Sequence, residues 1–313
     1  MRFSVVIPLY NKAPYVRKAL QSVFDQTFRD FELIVVDDGS KDDSLTVAKE
    51  TLEGSSLDHQ LIHQDNAGVS TARNNGVAAS HGDFICFLDA DDWWEPNFLE
   101  RMDWLIREYP DAGIYGVNYY IISRGKQRVA LHIPSTGYIN YCDCYRKLQM
   151  PLTSISVAIP KEVFRSLGGF KPHLKLGEDF DLWVRIALTR KVAYLDEPLA
   201  YYFQDSNPVW RGTGHLTDPK AHMLWNLDYL ESEEKTNPDY KRLIDELRIY
   251  GLLSYLLSDK YRAVAKTELA KVDWKKQPID VRVRYKLPVS ILRFRRTLKK
   301  YGSHIKQTIL KHV

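Results

Sequence analysis

The first third of the chain alternates short apolar runs with amphipathic stretches of helical length, and this rhythm constrains the fold more than any other feature. Arg2–Leu9 reads as a strand. Phe31–Val36 (FELIVV) is almost continuously apolar, as expected of a strand buried on both faces. Gln60–His63 is a weaker strand, and Phe84–Leu88 (FICFL) another buried one. Between them, Pro14–Gln26 places Val16, Leu20, Val23 and Phe24 on one helical stripe, opened by a proline in its first turn. Ser40-Lys41-Asp42-Asp43 reads as a capping box before a helix from Asp43 to about Leu52. Val69–Ser80 forms the next helix, and Glu95-Pro96 opens a further one running to about Tyr109. Strands separated by helices of about 10–15 residues are βαβ units, which require a mostly parallel sheet with right-handed crossovers.

Beyond residue 110 the alternation loosens. Gly113–Ile122 is a strand, Arg124-Gly125-Lys126 a turn, and Arg128–Ile133 a second strand. Leu152–Ile159 is strand-like, Lys161–Leu167 a short helix closed by Gly168-Gly169, Asp179–Thr189 a helix, and Tyr194–Phe203 extended. Gln204–Pro219, rich in Gly, Pro, Asn and Asp, is the natural boundary. After it Ala221–Leu230, Tyr240–Leu257 and Tyr261–Val272 all read as helical. No internal repeat is present.

At 313 residues and 44% hydrophobic, the chain is sized for one large α/β domain or two smaller ones. No apolar run approaches the ~18 residues of a membrane span. The opening MRFSVVIPLY reads as a strand rather than a secretory leader, and three cysteines make no disulfide framework. The expected location is therefore a reducing, cytoplasmic one. The formal net charge of +4 hides an asymmetry: from Arg282 to Val313 there are ten Lys or Arg and no Asp or Glu, leaving a net −6 on the residues before. Such a tail points to an anionic partner.

In an open α/β sheet, ligands bind beyond the carboxyl ends of the strands. Polar residues gather there: Tyr10-Asn11 after the first strand, Asp37-Asp38-Gly39-Ser40 after the second, and Asp89-Ala90-Asp91-Asp92 after the fourth. Asp is a common turn and cap residue, which accounts for Ser40 and Asp43. It does not account for three carboxylates directly behind FICFL, which repel one another unless a cation or a ligand compensates. Oxygen donors without nearby Cys or His suit Mg²⁺ or Mn²⁺, which needs only one or two protein carboxylates when a diphosphate supplies further oxygens. If the segment is extended, Asp89 and Asp91 point the same way and face one ligand together.

Five blocks in register carry a resemblance over about residues 2–203: SVVIPLYN, FELIVVDDGSKDDS, NAGVSTARNNG, GDFICFLDADDWWEP, and SISVAIPKEVFRSLGGF with GEDFDLWVRIA. Together they resemble the inverting family 2 glycosyltransferases of GT-A fold. The resemblance implies an α/β, GT-A type nucleotide-binding fold over 1–215, with a nucleotide-sugar half (about 1–110) and an acceptor half (about 111–215). A helical region, 216–313, would follow with a basic amphipathic tail. It further implies that Pro8, Tyr10 and Asn11 line the nucleobase pocket, that Asp38 bonds the base edge or ribose, and that Arg73 lies toward the base or diphosphate. Asp89-Ala90-Asp91 matches the family's DxD, with Asp89 near ribose and metal and Asp91 the direct Mg²⁺ or Mn²⁺ ligand. Glu178-Asp179 matches the acidic pair that supplies the general base, with Asp179 preferred. In that position the helix dipole favours the Asp179 anion, while Glu178 and Asp181 disfavour it. The family often has an Arg or His before a closing loop, and in FQDSNPVWRGTGHLTD the candidates are Arg211 and His215.

The implied activity is transfer of a sugar from a nucleotide-diphosphate sugar, a UDP-sugar first, to a hydroxyl of a glycan or lipid-linked glycan. The alternative is a non-catalytic sugar-nucleotide binding module of the same fold. A dinucleotide oxidoreductase is excluded because IPLYNKAPYV contains no glycine, and no phosphate-cradling P-loop is present. Cys142-Asp-Cys144 and the His59/His63 pair lack the partners of a metal site. In the tail, Ile291, Phe294, Leu298, Tyr301, Ile305 and Ile309 form one helical stripe flanked by Arg293, Arg295, Arg296, Lys299, Lys300 and Lys306. This pattern predicts peripheral binding to an anionic membrane surface through residues 289–313; packing of the stripe on the globular domain is the alternative, and nucleic acid is not an expected partner.

Overall fold

Buried along their whole length, FSVVIPL and FELIVVD form adjacent parallel strands, β1 (Phe3–Leu9) and β2 (Phe31–Asp37). The computed structural model describes residues 1–131, 133, 136–145, 150–205 and 216–295. Two compact units emerge, Met1–Tyr229 and Leu230–Val313. In the first, β3 (His59–His63) and β4 (Phe84–Phe87) extend β2 and β1, so one side of the sheet runs β3-β2-β1-β4, all parallel. The intervening helices are α1 (Val16–Phe24), α2 (Ser44–Glu53) and α3 (Val69–Ala79). α3 lies tight on β1: a Cβ at Gly76 would come within 2.4 Å of Val6 Cγ1.

The second half of the sheet is mixed. After β5 (Trp93–Trp94) and α4 (Phe98–Glu108) come β6 (Ala112–Ser123), its hairpin partner β7 (Lys126–Val129), β8 (Gly137–Ile139) and the short α5 (Tyr141–Cys144). β9 (Val157–Pro160) runs antiparallel to both β4 and β6, joining the halves. α6 (Lys161–Ser166) and α7 (Glu178–Ala187) precede β10 (Lys191–Phe203), which pairs parallel with β6. Register shifts flank Pro198, which has no N–H to give the ladder.

Four local expectations fail for identifiable reasons. The capping box does not form: Asp43 makes no side-chain cap, Asp42 Oδ1 instead accepts the Ser44 N–H at 3.0 Å, and Ser40 Oγ accepts the Asn11 N–H at 3.1 Å. Leu152–Ile159 is strand only from Val157, because Thr153 and Ser156 cap each other around a 3₁₀ turn, Ser154–Ser156. Of Arg128–Ile133 the strand is described to Val129, β7 having started earlier at Lys126, with one further bond from the Ala130 N–H to the Tyr119 carbonyl at 2.9 Å. Ala221–Leu230 breaks into 3₁₀ turns, Pro219–Ala221, Met223–Trp225 and Asp228–Leu230. There Asp218 accepts the Lys220 N–H, His222 Nδ1 accepts the Leu224 N–H, and Asn226 Nδ2 donates to the His222 carbonyl at 2.9 Å, side-chain bonds that compete with α-helix.

The second unit is helical: α8 (Glu231–Thr236), α9 (Pro238–Gly251), α10 (Leu253–Leu256), α11 (Arg262–Ala270) and α12 (Ile279–Lys286). Asn237 caps α9 through the Asp239 and Tyr240 N–H groups, with Pro238 at the first helical position. Arg248, 1% exposed, is held by Glu234 at 2.9 Å and Glu268 at 3.4 Å. Helix resumes over 289–295, where Ile291 and Phe294 stay exposed and Leu292, outside the expected stripe, is the buried residue. The rest of the tail stripe, from Leu298 on, lies outside the described residues, as do Arg211 and His215. Among the described residues no helix is long and apolar enough to cross a membrane.

Candidate active site

Parallel register brings three strand ends to one edge. Leu9 pairs with Asp37, the Asp38 N–H continues the ladder to the Leu9 carbonyl at 2.8 Å, and the Leu88 N–H reaches the Val6 carbonyl at 3.1 Å. Tyr10-Asn11-Lys12, Asp38 and Asp89–Asp91 therefore emerge side by side. Pro8 is buried within β1 and Tyr10 is half-buried just beyond it. Asn11 takes a left-handed φ of 52°, which asparagine tolerates, and its Oδ1 accepts the Lys41 N–H at 2.7 Å. Asp38, 3% exposed, clamps the loop before α3: Oδ1 accepts from Gln64 Nε2 at 2.7 Å and the Ala67 N–H at 2.8 Å, Oδ2 from the Gly68 N–H at 2.9 Å.

Arg73, on α3, is the hub. Its side chain is 4% exposed, and Nη2 donates to Asp89 Oδ1 at 2.7 Å and to Ser154 Oγ at 3.2 Å, while Nη1 reaches Glu178 Oε1 at 3.3 Å. Burial lowers the guanidinium's pKa, but Asp89 and Glu178 outweigh it and raise it. Ser154 in turn donates to Asp89 Oδ2 at 3.2 Å. One buried cation thus ties the end of β4 to the start of α7.

Asp89 and Asp91 do not share an extended segment. The Asp92 N–H bonds the Asp89 carbonyl at 2.9 Å, so Asp89–Asp92 is a turn that aims Asp89 at Arg73 and Asp91 at Lys12. Lys12 Nζ lies 2.5 Å from Asp91 Oδ2, both side chains largely buried. Asp91 therefore already attracts a cation. With Asp89 turned to Arg73, Asp91 offers one of the one or two carboxylate donors that a hard divalent ion takes when a diphosphate completes its shell. Asp92 is 2% exposed; burial first, then Asp91 and Asp89, push its pKa well up, and it accepts the Phe203 N–H at 2.7 Å.

Asp179 is the second residue of α7, which starts behind Gly177, whose φ of 82° is the left-handed geometry that suits glycine. Its Oδ1 accepts the Phe180 N–H at 2.7 Å. Burial, reinforced by Glu178 and opposed by Arg73, pushes its pKa up to about 7. Asp181, expected to add to this, is not among its main causes. It is 1% exposed and neutralised by Lys171 at 3.0 Å and Arg185 at 2.8 Å. Lys12 and Ser154 were not foreseen as contributors; Lys12 adjoins Tyr10-Asn11 and Ser154 opens the SISVAIP block, but only the fold aims them at the carboxylates.

A mixed sheet with carboxylates and a buried arginine at its strand ends is an α/β fold with its polar groups where open sheets take ligands. The sequence profile of Glycosyl transferase family 2 matches residues 4–168, and the chain belongs to that family. It is 37% identical over 216 residues to glycosyltransferase GlyA of Streptococcus pneumoniae, a match covering 64% of this chain and 30% of the relative. It is 41% identical over 101 residues to the putative glycosyltransferase EpsH of Bacillus subtilis, covering 32% and 28%. The matched stretch thus spans less than a third of each of these relatives. Among solved structures, the fold is similar to residues 1–349 of Staphylococcus aureus TarS in complex with UDP-GlcNAc, with TM-score 0.62, 21% identity, and 87% of this chain and 71% of that chain covered. It is also similar to the mannosyltransferase PcManGT of Pyrobaculum calidifontis in complex with GDP-Man and Mn²⁺, with TM-score 0.59, 18% identity, and 98% and 83% covered.

Proposed function

We propose that this chain is an inverting, divalent-metal-dependent transferase that moves a sugar from a nucleotide-diphosphate sugar, a UDP-sugar first, to a hydroxyl of a glycan or lipid-linked glycan. The observation that carries the reading is Asp179, a carboxylate with a pKa near 7 beside the Arg73–Asp89–Glu178 network. A general base works best when its pKa lies close to the working pH. Glu178 is committed to Arg73, which leaves Asp179 to take the proton of the acceptor hydroxyl. That oxygen then displaces the nucleoside diphosphate in one inverting step through an oxocarbenium-like state.

Pro8, Tyr10, Asn11 and Asp38 form the nucleoside side of the site, and Asp89 and Arg73 lie toward ribose and diphosphate. Asp91 would hold Mg²⁺ or Mn²⁺, with Asp89 turned to Arg73 beside it, and the ion would supply Lewis-acid stabilisation of the departing diphosphate. TarS with UDP-GlcNAc and PcManGT with GDP-Man and Mn²⁺ support nucleotide-sugar and divalent-ion use by analogy of fold.

The test is metal-dependent release of nucleoside diphosphate across a panel of nucleotide sugars. Turnover that needs a divalent ion and vanishes in a folded Asp91→Asn variant is the expected result. Nucleotide binding without turnover on any donor would select the binding-module reading instead.

A further inference from the structure

Within the C-terminal unit lies a cavity of about 540 Å³, remote in sequence from every residue assigned to sugar transfer. Its apolar wall comes from Leu256 and Leu269, each 6% exposed, with the ring of Trp274 5.1 Å from that of Tyr285. Four cations line it as well: Lys266, Lys275, Arg282 and Lys286. The three lysines are exposed, while the Arg282 Nε is buried without a hydrogen-bond partner.

Neighbouring cations are neutralised. Lys271 pairs with Glu268 at 2.7 Å, Lys276 with Asp273 at 3.7 Å and Arg284 with Asp280 at 3.8 Å. Among the described residues none of the four lining cations makes such a pair, and no acid lines the cavity. The volume falls in the range of roughly 300–1,000 Å³ typical of small-molecule sites. An apolar wall selects hydrocarbon, and four lining cations that pair with no acid among the described residues select an anion. A free phosphate has no use for the wall. A polyanion such as nucleic acid has no use for an apolar wall.

We propose that this cavity takes one hydrocarbon chain of an anionic phospholipid from a membrane surface, with the lipid phosphate among Lys266, Lys275, Arg282 and Lys286. No lining residue belongs to the 289–313 stripe or is assigned to sugar transfer, so each reading can fail without the other.

Trp274 supplies the probe. The full-length chain is titrated with vesicles of phosphatidylcholine containing phosphatidylglycerol with brominated acyl chains, and tryptophan emission is followed. Expected is a quenched component that the Trp274→Phe variant lacks. Lys275→Gln with Lys286→Gln, two exposed positions where folding is not at stake, should weaken that quenching titration roughly thirtyfold, since each cation near an anionic bilayer contributes about fivefold. Vesicle binding without Trp274-specific quenching would overturn the proposal. So would equal quenching by brominated phosphatidylcholine alone, or an undiminished response in the double variant. If glycerol phosphate in solution reproduces the Trp274 response, the site reads a phosphate group and not a lipid, and the proposal fails.

Discussion

At the residue scale, the decisive contest is over Asp179. The helix start favours its anion, yet burial and Glu178 win and hold the pKa near 7. As a base it must be deprotonated, so kcat should rise with pH through about 7 and level off above. Asp179→Asn should lower kcat by roughly 10²–10⁴ and leave nucleotide affinity nearly intact, because a base acts only in the transition state. Loss of kcat in Glu178→Gln with full activity in Asp179→Asn would move the role one residue back. The same shift has a stability signature. A carboxyl whose pKa is raised on folding binds its proton more tightly in the native state, so it costs stability as pH rises from about 4 to about 7. Asp179→Asn should remove that cost: its stability relative to the parent should grow by up to about 1.4 kcal/mol per pH unit across the window and then flatten. Denaturant melts at pH 4, 5.5, 7 and 8 would read it.

At the scale of elements, α3 works as a strut. Gly76 lets it lie against β1, and the loop clamped by Asp38 fixes its start, so Arg73 is delivered between β4 and α7. Removing only the guanidinium strands Asp89 and Glu178. Arg73→Met should therefore destabilise the folded chain by about 3–5 kcal/mol, the usual cost of breaking a buried ion pair on one side. Much of that should return in Arg73→Met combined with Asp89→Asn and Glu178→Gln, measured by the same denaturant melts. Losses in the single and triple variants that match would show that the arginine contributes packing and not charge pairing.

For the whole molecule, the charge asymmetry matters most. The body before Arg282 is net −6 and the remainder carries ten cations with no acid. We expect salt-sensitive binding to vesicles containing anionic lipid, weakened in a chain ending at Leu287, while donor hydrolysis persists. Sedimentation at low and high ionic strength checks this, and equal binding by both chains would remove the tail from the account. Ile291 and Phe294, exposed in the helix 289–295, leave an apolar edge free for such a surface.

Apart from the two-residue β5, the strand and helix order of residues 2–110, the polar strand ends and the acidic pair at 178–179 could be read in the sequence, because period and turn chemistry are local properties. Local properties also misled. Alternation suggested that Asp89 and Asp91 face one ligand, whereas a turn bond from Asp92 separates them. Adjacency suggested that Asp181 acts on Asp179, whereas Lys171 and Arg185 neutralise it. The pairings of Arg73 with Glu178, 105 residues away, and of Lys12 with Asp91, 79 away, were invisible for the same reason. Sequence determined which groups carry charge and where the strands end. Only the tertiary structure decided which charges meet out of water, and a carboxylate's proton affinity depends on that meeting.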